Sequence, residues 1–200
     1  MSNSDWRRKV GVHFTVPVAK VLAHTPLTPN VISCIGFILT CVAAFVTANQ
    51  YFLWGGIGML VAGIMDSFDG ALARYTGRES RFGAILDSTL DRFSEGVVLV
   101  SVMYVMACRE LEWGVVLGGV TLLMSFAVSY IRARAEGMGV ECSEGWFTRT
   151  ERVIVIAVGL IISQFTITGI IIAMSVVVVF SFITMIQRLF VVWRKLQLIK

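Results

Sequence analysis

The chain has 200 residues, 56% of them hydrophobic and 15% charged, with a mean hydropathy of +0.81 and a formal charge of +4. That composition excludes a water-soluble globular fold and fits one polytopic membrane domain, residues 1–200, with no second domain. The positive charge gathers at the rims of apolar stretches, which points to anionic lipid and phosphate partners; no nucleic-acid module is recognisable.

Residues 1–24 form a segment of their own, in which Ser2 to Lys20 are polar and basic and lack the continuous apolar region of a cleavable signal. Trp6, Val10, His13, Phe14 and Val18 approximate one helical face and Arg7, Arg8 and Lys9 another, so an amphipathic juxtamembrane helix is expected on the membrane surface, interrupted near Pro17. Residues 25–200 form the core. Leu27-Thr28-Pro29-Asn30 reads as a helix start. Six apolar stretches follow, Val31 to Ala48, Phe52 to Asp69, Ile85 to Ala107, Trp113 to Ile131, Val153 to Phe165 and Thr168 to Trp193, which predicts an all-α integral membrane protein of six transmembrane helices, the fifth short. Cys34, Cys41, Cys108 and Cys142 have no metal or redox spacing and are read as small apolar fillers.

Of the 17 basic residues only Arg109 falls on the outer side when the N-terminus is cytoplasmic. This positive-inside split predicts a multi-pass cell-membrane protein with both termini, and the junction of the second and third stretches, facing the cytoplasm.

That junction reads D-S-F-D-G-A-L-A-R, eight residues, then G-A-I-L-D-S-T-L-D, from Asp66 to Asp91. Charges in so apolar a sequence are costly. Asp66 and Asp69 are three apart, Asp87 and Asp91 four apart, so each pair shares one helix face and two such helices in a hairpin make a four-carboxylate box. Oxygen ligands without His or Cys suit a hard cation, Mg²⁺, Mn²⁺ or Ca²⁺, and a site that handles phosphate. Gly70, Ala73 and Gly83 are small where a ligand would approach the backbone, and Arg74 adds a cation beside them. The plainer alternative is a set of intramembrane ion pairs, such as Asp69 with Arg74 and Asp91 with Arg92.

The pattern D-x-x-D-G-x-x-A-R, eight residues, G-x-x-x-D-x-x-x-D resembles the signature of the CDP-alcohol phosphotransferase family with no position missing. The resemblance implies a homodimeric transferase in which Asp66, Asp69 and Asp87, with Asp91 at a second ion, hold Mg²⁺ or Mn²⁺ against the diphosphate of a CDP-lipid. It further implies that Asp91 takes the proton of the acceptor hydroxyl and that Gly70, Ala73, Arg74 and Gly83 cradle the cytidine diphosphate. Family sequences similar to T-P-N open the first span near the nucleotide, so Thr28, Pro29 and Asn30 are candidates to touch CDP, with a simple helix cap as the alternative.

Further cations lie where the last three spans meet the cytoplasm, in S-Y-I-R-A-R-A-E-G, R-T-E-R and Q-R-L. Arg is shaped to fork onto phosphate, which suits an acceptor that itself carries one, whereas serine or choline would not need it. These stretches look like those of the subgroup that makes phosphatidylinositol phosphate or its archaeal ether-lipid counterpart, and on that resemblance Arg132, Arg152 and Arg188 hold the inositol phosphate. The second half-motif, D-S-T-L-D-R-F-S-E-G, also favours this subgroup over phosphatidylglycerophosphate synthases using glycerol 3-phosphate, many of which carry Pro after the third Asp and Lys after the fourth. The expected reaction transfers a phosphatidyl-type group from CDP-diacylglycerol or CDP-archaeol to inositol phosphate and releases CMP. A divalent-cation transporter and a silent structural protein are the rival classes; the first lacks further carboxylates on the outer half of the spans, and in the second the motif should have decayed.

Overall fold

A computed structural model describes residues 17–198 except Ala19 and Ser143. Six long helices run in chain order: α1 (Pro29–Ala48), α2 (Phe52–Thr76), α3 (Arg81–Cys108), α4 (Glu112–Glu136), α5 (Arg149–Ser163) and α6 (Thr168–Leu198). Of the expected surface helix, residues 17–22 are helical where described, while Trp6 to Phe14 lie outside the described residues. All six apolar stretches become helices, and the second and third run past their apolar limits, so both half-motifs sit on continuous helix.

The punctuation is local. Thr28 caps α1, its hydroxyl accepting the Val31 N–H at 3.4 Å, with Pro29 in the first turn where a missing N–H costs nothing. Gly77 ends α2 in the left-handed region at φ 63°, and Ser80 caps α3 by accepting the Gly83 N–H at 2.9 Å. At the start of α5, Glu151 accepts from the Thr148 N–H at 2.7 Å, a capping box.

Short connections alternate the helix directions, so the starts of α1, α3 and α5 share one end of the bundle with the ends of α2, α4 and α6. Helix contacts close a ring in the order α1, α2, α5, α6, α4, α3 and back to α1. Its core contains Met59 of α2, Val102 and Met106 of α3, Leu160 of α5 and Met174 of α6. Gly56 lets α2 close on α5, since a Cβ there would lie 2.7 Å from the Ala157 carbonyl oxygen.

Apolar side chains cover the outside of the bundle as well as filling its core, and several buried hydroxyls are paired locally. Thr40, Thr47 and Thr121 are buried and spend their hydroxyls on carbonyls one turn back, at 3.0, 2.9 and 2.7 Å. Phe45, Val61, Tyr104, Leu123, Val158 and Phe182 are exposed on the outside. By length and composition α1, α2, α4 and α6 can each cross a membrane. Any 18-residue window of α3 contains Asp91, Arg92 and Glu95, and α5 has only 15 residues, about 22 Å against a hydrocarbon core of about 30 Å.

Candidate active site

The hairpin of α2 and α3 brings the carboxylates together as their spacing requires. Asp66, Asp69 and Asp87 each place one oxygen so that all three lie within 4.8 Å of one another. At that separation two unit charges repel by about 3 kcal/mol at an effective dielectric near 20, so a cation among them relieves the cluster. The donors are all hard oxygens, which fits Mg²⁺ or Mn²⁺. Asp69 is the most enclosed of the three; it accepts from the Gly70 N–H at 2.5 Å and from the hydroxyl of Ser33, which reaches across from α1.

Asp91 stands outside this trio. One turn further along α3, its Oδ1 lies 2.5 Å from Nη1 of Arg149, and Arg92 stands at 3.8 Å. The same Nη1 donates to Asp66 Oδ2. The box is therefore three carboxylates gathered and a fourth held beside them by an arginine from the first turn of α5. If the cluster holds a divalent cation, Asp69→Ala, which deletes one of its oxygens and the acceptor of the Ser33 hydroxyl, is expected to lower Mn²⁺ affinity by at least about tenfold in an electron paramagnetic resonance titration. An unchanged titration would remove Asp69 from the ligand set.

Beside the carboxylates opens a groove of about 190 Å³, with Pro29 and Asn30 of α1, Gly70, Ala73 and Arg74 of α2 and Gly83 of α3 in its wall. A Cβ on Gly83 would sit 2.9 Å from Ser80 Oγ and 3.1 Å from Asn30 Oδ1, so the small residue keeps this wall open. Arg74 folds back so that a Cβ on Gly70 would lie 3.2 Å from its Nη1. Thr28 is outside the lining and serves the helix cap, whereas Arg78, Glu79 and Ser80 at the turn join it.

The three arginines expected to grip the acceptor are differently placed. Arg132, exposed on the last turns of α4, pairs with Glu136 at 2.8 Å. Arg188 is buried and donates to the carbonyls of Val128 at 2.6 Å and Glu144 at 2.9 Å. Arg152 is 1% exposed and forks onto Glu95 with two bonds, Nε to Oε1 at 2.6 Å and Nη2 to Oε2 at 2.9 Å. Arg152 thus does not present a free guanidinium to an acceptor: Glu95, four residues after Asp91 on the same helix, consumes its fork. Glu95 and Arg149 carry the largest differences from the sequence reading. The i, i+4 step from Asp91 to Glu95 was the available signal for the first; R-T-E-R contained the second without distinguishing it from Arg152. The connection after α4 is pinned by Lys195, which donates to Glu144 at 2.8 Å and thereby holds that carboxyl below its usual range.

A carboxylate trio, a glycine-walled groove and an arginine-rich end of the bundle are thus adjacent. The sequence profile of the family described as CDP-alcohol phosphatidyltransferase matches residues 26–192, which include the first five helices and most of α6. The chain belongs to the CDP-alcohol phosphatidyltransferase family. Among curated relatives it is similar to the archaetidylinositol phosphate synthase of Methanothermobacter thermautotrophicus, 34% identical over 95% of this chain and 94% of that one. It is also similar to the phosphatidylinositol phosphate synthase of Mycobacterium tuberculosis, 32% identical over 93% and 88%. A crystal structure of the M. tuberculosis enzyme with CDP-DAG bound superposes with a TM-score of 0.82 at 32% identity, covering 90% of this chain and 94% of that one. A second, in complex with manganese and citrate, gives 0.80 at 33% identity over 90% and 88%. The carboxylate trio lies within the residues that match the family.

Proposed function

We propose that this phosphatidyltransferase moves the lipid phosphate of CDP-diacylglycerol or CDP-archaeol onto a hydroxyl of inositol phosphate and releases CMP. The observation that carries the reading is the trio of Asp66, Asp69 and Asp87 on the edge of the Asn30, Gly70 and Gly83 groove, with Asp91 immediately beside it. The relatives named for inositol phosphate products support the acceptor.

In this reading Asp66, Asp69 and Asp87 would hold Mg²⁺ or Mn²⁺, with Asp91 toward a second ion, and such cations would supply charge neutralisation at the diphosphate. Asn30, Gly70, Ala73, Arg74 and Gly83 seat the cytidine diphosphate, while Pro29 and the Thr28 cap fix the start of α1 against it. The acceptor oxygen attacks the lipid-side phosphorus, the diphosphate bond breaks so that CMP leaves, and the hydroxyl proton passes to the Asp91 carboxylate. Arg132 and Arg188 take the acceptor phosphate at the same end of the bundle, and Arg152 contributes through Glu95, which braces the helix that carries Asp91.

The surroundings follow from the same reading. All six helices span the bilayer, with α5 and the charged start of α3 shielded by their neighbours in the ring. The site and both termini face the cytoplasm, where CDP-lipid headgroups and the phosphorylated acceptor meet, and the enzyme works as a homodimer.

The test is a panel of labelled acceptors, inositol phosphate, glycerol 3-phosphate, serine and inositol, each with one CDP-lipid and Mg²⁺, scored by CMP release. Inositol phosphate should carry turnover, with unphosphorylated inositol slower by at least about tenfold, since a lost charge-assisted bond is worth roughly 1.5–3 kcal/mol. Preference for glycerol 3-phosphate would overturn the acceptor and leave the transferase. Silence with every acceptor would overturn both.

A further inference from the structure

Arg149 occupies a position that a divalent cation and its counter-charges would contest. Its Nη1 donates to Asp66, a member of the carboxylate trio, and lies 2.5 Å from Asp91. We propose that Arg149 is the resident cation of this site: it ties Asp66 to Asp91 while no divalent cation is bound and withdraws from them when one binds. The proposal rests on the reading that Asp66, Asp69 and Asp87 hold a divalent cation.

Four observations carry it. First, the contact is unfinished. Among the described residues Arg149 Nε and Asp91 Oδ1 are buried without a well-directed hydrogen bond, although Nη1 and Oδ1 are in close contact. The neighbouring pair of Arg152 and Glu95 shows what a finished one looks like here, two parallel bonds at 2.6 and 2.9 Å with side chains 1% and 4% exposed. One nitrogen shared between two carboxylates, and well directed only toward Asp66, gives up less on leaving than a bidentate fork.

Second, Arg149 opens α5, where the positive end of the helix dipole disfavours a cation, so the carboxylates are what retain it. Third, the backbone need not move with the side chain. Thr148 and Glu151 fix the start of α5 through the capping box, and the long side chain alone can swing. Fourth, Asp91 is not abandoned when Arg149 leaves, because Arg92 Nη1 stands 3.8 Å from its other oxygen, Oδ2.

The consequence is a charge relay between two states. Without a divalent cation, Arg149 suppresses the repulsion that would spread α2 from α3. With one, the positive charge added at Asp66 repels the guanidinium and frees a fork-shaped anion binder beside Asp91.

Two measurements on the detergent-solubilised full chain test this. Phenylglyoxal labelling mapped by peptide mass spectrometry should show Arg149 modified several-fold faster with saturating Mn²⁺ than without, while Arg152 stays unmodified in both. Arg149→Ala should bind Mn²⁺ several-fold more tightly than the wild type, because its competitor is gone. Equal or slower labelling of Arg149 with Mn²⁺ bound, a parallel rise at Arg152, or weaker Mn²⁺ binding by Arg149→Ala overturns the proposal and leaves the metal site standing. A wild type that binds no Mn²⁺ overturns the metal site and this inference with it. The labelling arm uses the wild type, so a poorly folding variant does not blunt the test.

Discussion

Asp91→Asn should reduce turnover by about 10²–10⁴-fold while CDP-lipid binding is retained. The separation of the carboxylates is the reason. Asp66, Asp69 and Asp87 share the 4.8 Å cluster, whereas Asp91 lies one turn on, toward Arg149 and Arg92. An amide there keeps the size of the side chain and leaves the trio complete, but it cannot accept the proton of the attacking hydroxyl. The capping box of Thr148 and Glu151 keeps the start of α5 in place. Single-turnover CMP release, read beside equilibrium binding of the CDP-lipid, separates the two effects. Near-normal turnover would strip Asp91 of its role as base, and lost lipid binding would make its contact with the second ion the larger part of its role.

The second large effect is on stability. Arg152→Ala should destabilise the bundle by roughly 3–5 kcal/mol, because it strands the Glu95 carboxylate in the interior with its partner gone. Both side chains are almost wholly enclosed, at 1% and 4% exposure, so solvent screens little of this pair. The pair also joins α3 to α5, helices that meet only weakly elsewhere in the ring, and its loss should loosen the seat of Asp91. Replacing both partners together, Arg152→Met with Glu95→Leu, should recover much of the loss, since burial of apolar groups of similar size carries no desolvation penalty. Thermal unfolding in detergent, followed by tryptophan fluorescence, reads both variants. A variant of unchanged stability whose sole defect is a raised acceptor KM would return Arg152 to the acceptor site.

The same pair marks where reading the chain stops. Six apolar stretches become six helices because hydrophobicity over that length is a property of each stretch alone. The meeting of Asp66, Asp69 and Asp87 was equally legible: a three-residue step puts two carboxylates on one helix face, and a short turn capped by Gly77 and Ser80 brings the third opposite. The smallness of Gly70, Ala73 and Gly83 likewise marked the groove wall before its geometry was known.

What the tertiary structure decided is which arginine meets which acid. In R-T-E-R, Arg149 and Arg152 are chemically identical and one turn apart, yet Arg149 reaches Asp66, 83 positions away, and Arg152 reaches Glu95, 57 positions away. Ser33 finds Asp69 across 36 positions by the same rule. Helix periodicity places a side chain on a face, but the rotation of α5 against α2 and α3 chooses its partner. That rotation is set by close packing, including the approach of Gly56 to Ala157, and by the cost of leaving a buried charge unpaired.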